Sequence, residues 1–421
     1  MDDFDSLRNL IQSHPLIDNH AHNLLNQESA ADYETYPLEA ITSEAHGRAL
    51  KNARTTLPLL RATNQLAELY GSPCADWNEV QSAHDRWVRE DYEGLVRRSL
   101  EGTHALLLDD LLGDDEDIES SSWHDRFTIS ATKRIVRIES VAESQILQIA
   151  SSERKPDESV WNNFRQRFLN ALSEAMDDPN VVGFKSVVCY RTGLDVDPYS
   201  SDDSTLGGSL VRTLDSGTVR SGFRVEDKPL CDWLVQQTLK AISFKKKAGV
   251  VKPLQLHTGL GDNDISLLRS NPAYLQPLIA QYSDADIVLL HSAYPYTREA
   301  GYLTSVYPNV YLDLGEVFPM VSREAQEKIL RESLELTPIS RLLWSTDGHF
   351  HPETFWLANR QFRQALEKVF VEYVQYGDFT ISQAMKAAAD ILFYNSNRLY
   401  GLGLTPEYTP ITVDGEPSLV N

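Results

Sequence analysis

Eight short apolar runs, separated by stretches of helical periodicity, dominate this sequence of 421 residues. In order they span 15–22, 103–108, 127–138, 181–188, 250–257, 285–291, 310–314 and 341–347. Short apolar runs bounded by polar residues read as strands buried on both faces. Strands that alternate with helices run parallel, because each helix must carry the chain back before the next strand begins. Eight such units predict an α/β fold, one (β/α)8 TIM barrel over residues 1–403 followed by an irregular tail, 404–421.

Two stretches depart from the simple alternation. Residues 23–102 show no strand but repeated helical spacing, including Leu57, Leu60, Leu66 and Leu69, then Trp77, Trp87, Tyr92 and Leu95. They predict a helical insertion after the first strand, where a cap over an active site would sit. Residues 192–226, rich in Ser, Gly and Asp, read as a long loop excursion, and loops of that length are usually functional or disordered. Helical periodicity over about 354–376 and 381–399 predicts two C-terminal helices closing the domain.

In a barrel the C-terminal strand ends converge on one mouth, where barrel enzymes carry their chemistry. The first run, Pro15-Leu16-Ile17-Asp18-Asn19-His20-Ala21-His22, ends in two histidines one residue apart. On a strand, residues i and i+2 point the same way, so both imidazoles leave in one direction. Lys185 stands in the fourth run, His257 ends the fifth, His291 the sixth and Asp347 the eighth. Four imidazoles and a carboxylate are donors suited to Zn²⁺ or a similar divalent ion. His14, His46, His84, His104 and His124 read as structural histidines, and His349 and His351 either line the mouth or belong to a loop.

These residues, in this order on these strands, resemble the amidohydrolase superfamily. The segments "PLIDNHAH", "VVGFKSVVCYRTGLD", "LQLHTGLGD" and "LLWSTDGHF" are similar to the subgroup of the fungal FluG N-terminal domain and the plant nodulin-like amidohydrolases. The resemblance covers about 10–400. FluG proteins also carry a glutamine-synthetase-like domain, so this chain is expected to be the stand-alone hydrolase half.

The resemblance implies that His20, His22 and Asp347 hold one metal ion. It also implies that His257 and His291 hold a second if Lys185 is carboxylated and bridges the two. The expected cofactor is Zn²⁺, one ion or two, with Mn²⁺ as the alternative. Bound water would be acidified from 15.7 to about 7 and the scissile carbonyl polarised. Asp347 would then accept the water's proton and pass it to the leaving nitrogen. As a plain ammonium, Lys185 would instead meet a substrate carboxylate or a neighbouring acid such as Glu316. In one-ion relatives the fifth- or sixth-strand histidine is freed for acid/base work, which leaves the role of His291 open. Arg191, Arg137 or Arg134, and Glu316 are candidate substrate contacts, since a guanidinium holds a carboxylate with two parallel bonds; structural salt bridges are the competing reading.

Lys+Arg 39 against Asp+Glu 61 gives a net charge of −22, which argues against nonspecific nucleic-acid or anionic-membrane binding. Cys74, Cys189 and Cys231 form no disulfide framework and no metal-type spacing. The acidic N-terminus lacks signal-peptide features and no run approaches the roughly 20 apolar residues of a membrane span. A cytoplasmic protein with a small-molecule substrate is expected; related barrels often form homodimers, although no large apolar helix face marks an interface here. There is no Walker loop, dinucleotide fingerprint, His-Glu-x-x-His or nucleophile elbow. The expected reaction is hydrolysis of a C–N bond in a carboxylate-bearing amide, with a γ-glutamyl amide as the candidate. Two alternatives stand beside it: a single-metal nonoxidative decarboxylase or other C–C lyase, and a noncatalytic regulatory barrel.

Overall fold

Each of the eight apolar runs supplies a strand to one parallel sheet. A computed structural model of the chain describes residues 3–417 except 110–111, 113–115, 152–158, 217–218, 221, 408–411 and 414–415. The strands are β1 (Leu16–Ala21), β2 (Thr103–Asp109), β3 (Lys133–Arg137), β4 (Val181–Ser186), β5 (Leu254–Leu256), β6 (Ile287–Leu289), β7 (Val310–Asp313) and β8 (Leu342–Leu343). They follow one another in the order β1 to β8 and form a nearly closed barrel with helices around it. β1, β2 and β4 are buried at every position, as strands covered on both faces must be. The chain groups into two compact units, Met1–Lys133 with Asp313–Arg398 and Leu402–Asn421, and Arg134–Leu312 with Leu399–Gly401.

In the first unit, β1 pairs β2 with Ile17 opposite Ala105 and Asp18 opposite Leu106. The insertion after β1 is helical, with its main helices at Leu57–Tyr70 and Trp77–Ser99. Asp76 caps the second by accepting the Glu79 N–H at 3.0 Å, and Gly71 ends the first in the left-handed conformation that favours glycine. The buried stripe of Leu57–Tyr70 differs from the expected one: Leu57 and Leu60 are exposed, and Leu59, Ala62, Leu66 and Leu69 are buried. The stripe packs with Trp77, Val80 and Leu95, and with Leu357 of the helix Pro352–Tyr376. Inside that last helix Phe362 stacks on Trp344 at 3.8 Å, fixing the segment that follows β8. The C-terminal helical stretch is Ile381–Ala389, continued by one π-turn over Asp390–Tyr394 and by Asn395–Leu399.

In the second unit β3 through β7 pair in parallel, with Arg137 opposite Lys185, Lys185 opposite Gln255, and Gln255 opposite Val288. The helix Ser159–Asp177 buries Trp161, Phe164, Phe168, Leu172 and Met176, and the first three surround Trp233 of the helix Lys228–Lys247.

Two sequence expectations need correction. The third strand is shorter than its apolar run, since it begins only at Lys133, while Ile129 is exposed and Ile138 opens the helix Ile138–Ala150. The excursion at 192–226 is no continuous loop: Asp203–Asp215 is a helix capped by Asp202, with Leu206 and Leu210 buried. Its glycines and serines lower intrinsic helix propensity, and the cap and the two buried leucines outweigh them.

Candidate metal centre

β1 and the residue just past it, His22, carry four polar side chains, and each has a distinct task in the first unit. Asp18 is buried and accepts the Thr346 N–H at 2.9 Å and the Thr346 hydroxyl. Burial pushes its carboxyl up to about 7, with the Thr346 hydrogen bonds opposing the rise. Asn19 donates to the Trp344 carbonyl at 2.7 Å and to Asp313 Oδ1 at 2.8 Å. Asp313, at the end of β7, also accepts the Gly315 N–H at 2.9 Å. Main-chain bonds Asn19 N–H to Trp344, Asp347 N–H to His20 and His22 N–H to Gly348 (3.1, 3.0 and 2.7 Å) extend the β1–β8 ladder beyond the two residues of β8. His20, His22 and Asp347 are thereby held on one rigid piece of backbone.

Their donor atoms converge. His20 Nε2 lies 3.2 Å and His22 Nε2 3.5 Å from the same oxygen, Asp347 Oδ1, with the three side chains 0%, 7% and 12% exposed. Metal–ligand bonds of about 2.0–2.1 Å in a tetrahedral arrangement put donor atoms about 3.3 Å apart. His22 donates Nδ1–H to the Asp109 carbonyl at 2.9 Å, which leaves its Nε2 with a lone pair directed at Asp347. Two imidazoles and a carboxylate at this spacing fit a zinc-like ion. Asp347 has φ +52°, a left-handed conformation uncommon for a residue with a side chain. His349 donates Nδ1–H to the Asp347 carbonyl at 2.9 Å, and its ring lies 6.5 Å from that of His22. Glu316, with φ +60°, is buried just past β7.

In the second unit, Lys185, His257 and His291 occupy the ends of three successive strands, all buried. The rings of His257 and His291 stand 4.4 Å apart, and Tyr190 lies 4.4 Å from His257. His257 donates Nε2–H to the Leu260 carbonyl at 2.8 Å. His291, Ser292 and Ala293 all have positive φ, a second concentration of backbone strain at a strand end. Gly259, φ +80°, allows this close packing, since a Cβ there would stand 2.3 Å from the Tyr294 carbonyl oxygen. Arg191 is buried against Glu143 at 3.2 Å, so its guanidinium has an internal carboxylate partner. Burial raises the Glu143 carboxyl above its usual value, with Arg191 and, more weakly, Arg137 opposing the rise; Arg137 itself precedes the helix Ile138–Ala150.

Several residues of the site stood in plain view in the sequence without a readable role. Asp18, Asn19, Asp313 and Thr346 form the hydrogen-bonded base under the β1 histidines. Glu139, buried, accepts the Ser186 hydroxyl at 2.6 Å and the Val187 N–H at 3.1 Å, fixing the chain just beyond Lys185. A polar residue within or just beyond an apolar run is the signal that marks them.

Comparison with known proteins bears on the family and the fold. Residues 246–402 match the family model described as Amidohydrolase. The chain is 64% identical over 410 residues to protein fluG of Emericella nidulans, covering 95% of this chain and 47% of that one. It belongs to the amidohydrolase superfamily. A Lactobacillus casei protein assigned as a metal-dependent hydrolase shares the superfamily barrel with a TM-score of 0.78 and 25% identity, over 94% of this chain and 97% of that one. A uronate isomerase of Bacillus halodurans (TM-score 0.61, 14% identity, 94% and 96% covered) shows likeness of fold alone. The chain spans about half the length of its fluG relative. No helix among the described residues is long and apolar enough to cross a membrane.

Proposed function

We propose that the chain is a metal-dependent hydrolase that cleaves the C–N bond of a small, carboxylate-bearing amide. The observation that carries this reading is the approach of His20 Nε2 and His22 Nε2 to one oxygen of Asp347, at 3.2 and 3.5 Å. The superfamily pattern also assigns ligand roles to Lys185, His257 and His291, and their places at the ends of β4, β5 and β6 are those the pattern calls for. A zinc-like ion held there supplies acidified water and a polarised carbonyl.

The chain's own residues do the rest. The Asp109 carbonyl and the β1–β8 ladder keep His22 and His20 in one orientation, so little reorganisation remains for the reaction. Asp347 takes the proton of the attacking water and returns it to the leaving nitrogen. Lys185, buried to 3% exposure, would help to hold the metal if carboxylated, or would meet the substrate's carboxylate as an ammonium. The γ-glutamyl amide is the first substrate class to try, on the strength of the resemblance to FluG-type proteins.

The test is amine release from a panel of γ-glutamyl and other carboxylate-bearing amides by the Zn²⁺- or Mn²⁺-loaded chain, beside Asp347→Asn. Turnover lost in the variant supports the reading, and no hydrolysis of any amide by the loaded chain counts against it. The rival reading is a one-ion nonoxidative decarboxylase; the Leu260 carbonyl takes Nε2–H of His257 and leaves Nδ1 as its donor atom, which suits one ion or two. CO₂ release without amine release would select that rival.

A further inference from the structure

A second group of side chains of metal-ligating type lies in the first unit, between the helical insertion and the helix Pro352–Tyr376. His84 of the helix Trp77–Ser99, His351 just before the helix Pro352–Tyr376, and Glu353 in its first turn are all buried. One ligand atom from each falls within 4.8 Å of the other two. The two imidazole rings are 5.3 Å apart.

The tautomers follow from the partners. His84 Nε2 faces the Ala30 carbonyl at 3.2 Å and His351 Nε2 faces the Tyr36 carbonyl at 3.0 Å. A carbonyl only accepts, so both Nε2 atoms carry the proton. In each neutral ring Nδ1 then bears a lone pair. His84 Nδ1 meets Glu353 Oε1 at 2.7 Å, and the Tyr70 hydroxyl donates to the same oxygen at 2.7 Å. His351 Nδ1 and Glu353 Oε2 are buried without a hydrogen-bond partner. An ion pair between His84 and Glu353 accounts for Oε1 alone. It leaves one acceptor nitrogen and one carboxylate oxygen unsatisfied where burial penalises both. Histidines anchored by backbone carbonyls at one nitrogen, with the other turned to a carboxylate that is itself hydrogen-bonded, are the outer-shell pattern of a metal site.

We propose that His84, His351 and Glu353 bind a divalent transition ion of the zinc class, separate from the centre at His20, His22 and Asp347. Two imidazole nitrogens and one carboxylate suit that ion, and a water can take the fourth position. The ion would tie the helical insertion to the start of the helix Pro352–Tyr376, which begins five residues after Asp347. Its role is structural: it fixes the insertion and the loop that follows β8.

The experiment uses the full chain carrying His22→Asn and Asp347→Asn, stripped with chelator and titrated with Co²⁺ alone. A second chain carries His351→Gln in addition, and a third Glu353→Gln in its place, in case either fails to fold. The proposal expects one equivalent more Co²⁺ in the first chain than in the folded second or third. It also expects visible absorption of a four-coordinate ion, and a rise in Tm on Zn²⁺ addition that the added substitution abolishes. Equal Co²⁺ stoichiometry and equal Tm response in the folded chains would overturn it, leaving a water or proton to fill the space. The central reading is judged separately, by wild-type metal content against the first chain.

Discussion

The Asp109 main-chain carbonyl accepts Nδ1–H of His22 at 2.9 Å, and so aims the opposite nitrogen at Asp347. β2 ends where it can orient the candidate ligand that follows β1. Removing an outer-shell partner of a metal-bound histidine costs about 10–100-fold in affinity, and removing the histidine itself costs more. His22→Asn is therefore expected to weaken one class of Zn²⁺ binding by more than about 100-fold, measured by competition with a chromophoric chelator. The far-ultraviolet circular dichroism should be unchanged.

Glu139 supports the end of β4 in the second unit. Glu139→Ala strands the Ser186 hydroxyl and the Val187 N–H, both buried. Each unsatisfied group costs about 1–3 kcal/mol, so the urea midpoint should fall markedly. Glu139→Gln keeps an acceptor and should lose less.

Gly259 is held left-handed against Tyr294 between β5 and β6. Gly259→Ala adds about 1–2 kcal/mol of left-handed strain and a clash that the backbone must relieve by moving. Expected are lower stability and weaker binding of substrate, read as a lower Tm and a raised KM.

His124 makes part of the fold acid-sensitive. It accepts the Leu24 N–H at Nε2 (3.2 Å) and donates Nδ1–H to the Ser120 carbonyl (3.0 Å), so the folded state requires the neutral ring. Burial holds it down at about 4, against a usual 6.5. Between those values the unfolded chain binds the extra proton, so this contribution is intact above pH 6.5 and declines as pH falls toward 4. At most about 3 kcal/mol is involved. Tm measured from pH 7 to 4.5 should fall less steeply in His124→Gln than in the wild type.

The barrel was legible because buried parallel strands are continuous apolar runs, and the candidate ligands stand out because they end those runs. His20 and His22 betray themselves by the two-residue period of a strand. The helix Asp203–Asp215 was not legible, since Gly207, Gly208 and Ser204 lower its propensity while burial of Leu206 and Leu210 is a tertiary effect. Leu57 and Leu60 fit a helical period yet face solvent, because periodicity alone does not say which of two overlapping stripes the core will take. His84 read as structural in isolation; its carboxylate partner lies 269 residues away, beyond the reach of any local pattern.

The most direct measurement is metal content per chain, by inductively coupled plasma mass spectrometry, on wild type and on the His22→Asn, Asp347→Asn chain. Both are purified without added metal and then incubated with Zn²⁺ or Mn²⁺. The account predicts that the wild type holds at least one equivalent more than the variant: one for a single-ion site, two if Lys185 bridges a pair. Equal metal content in the two folded chains, or none in either, would contradict a metal centre built on His20, His22 and Asp347.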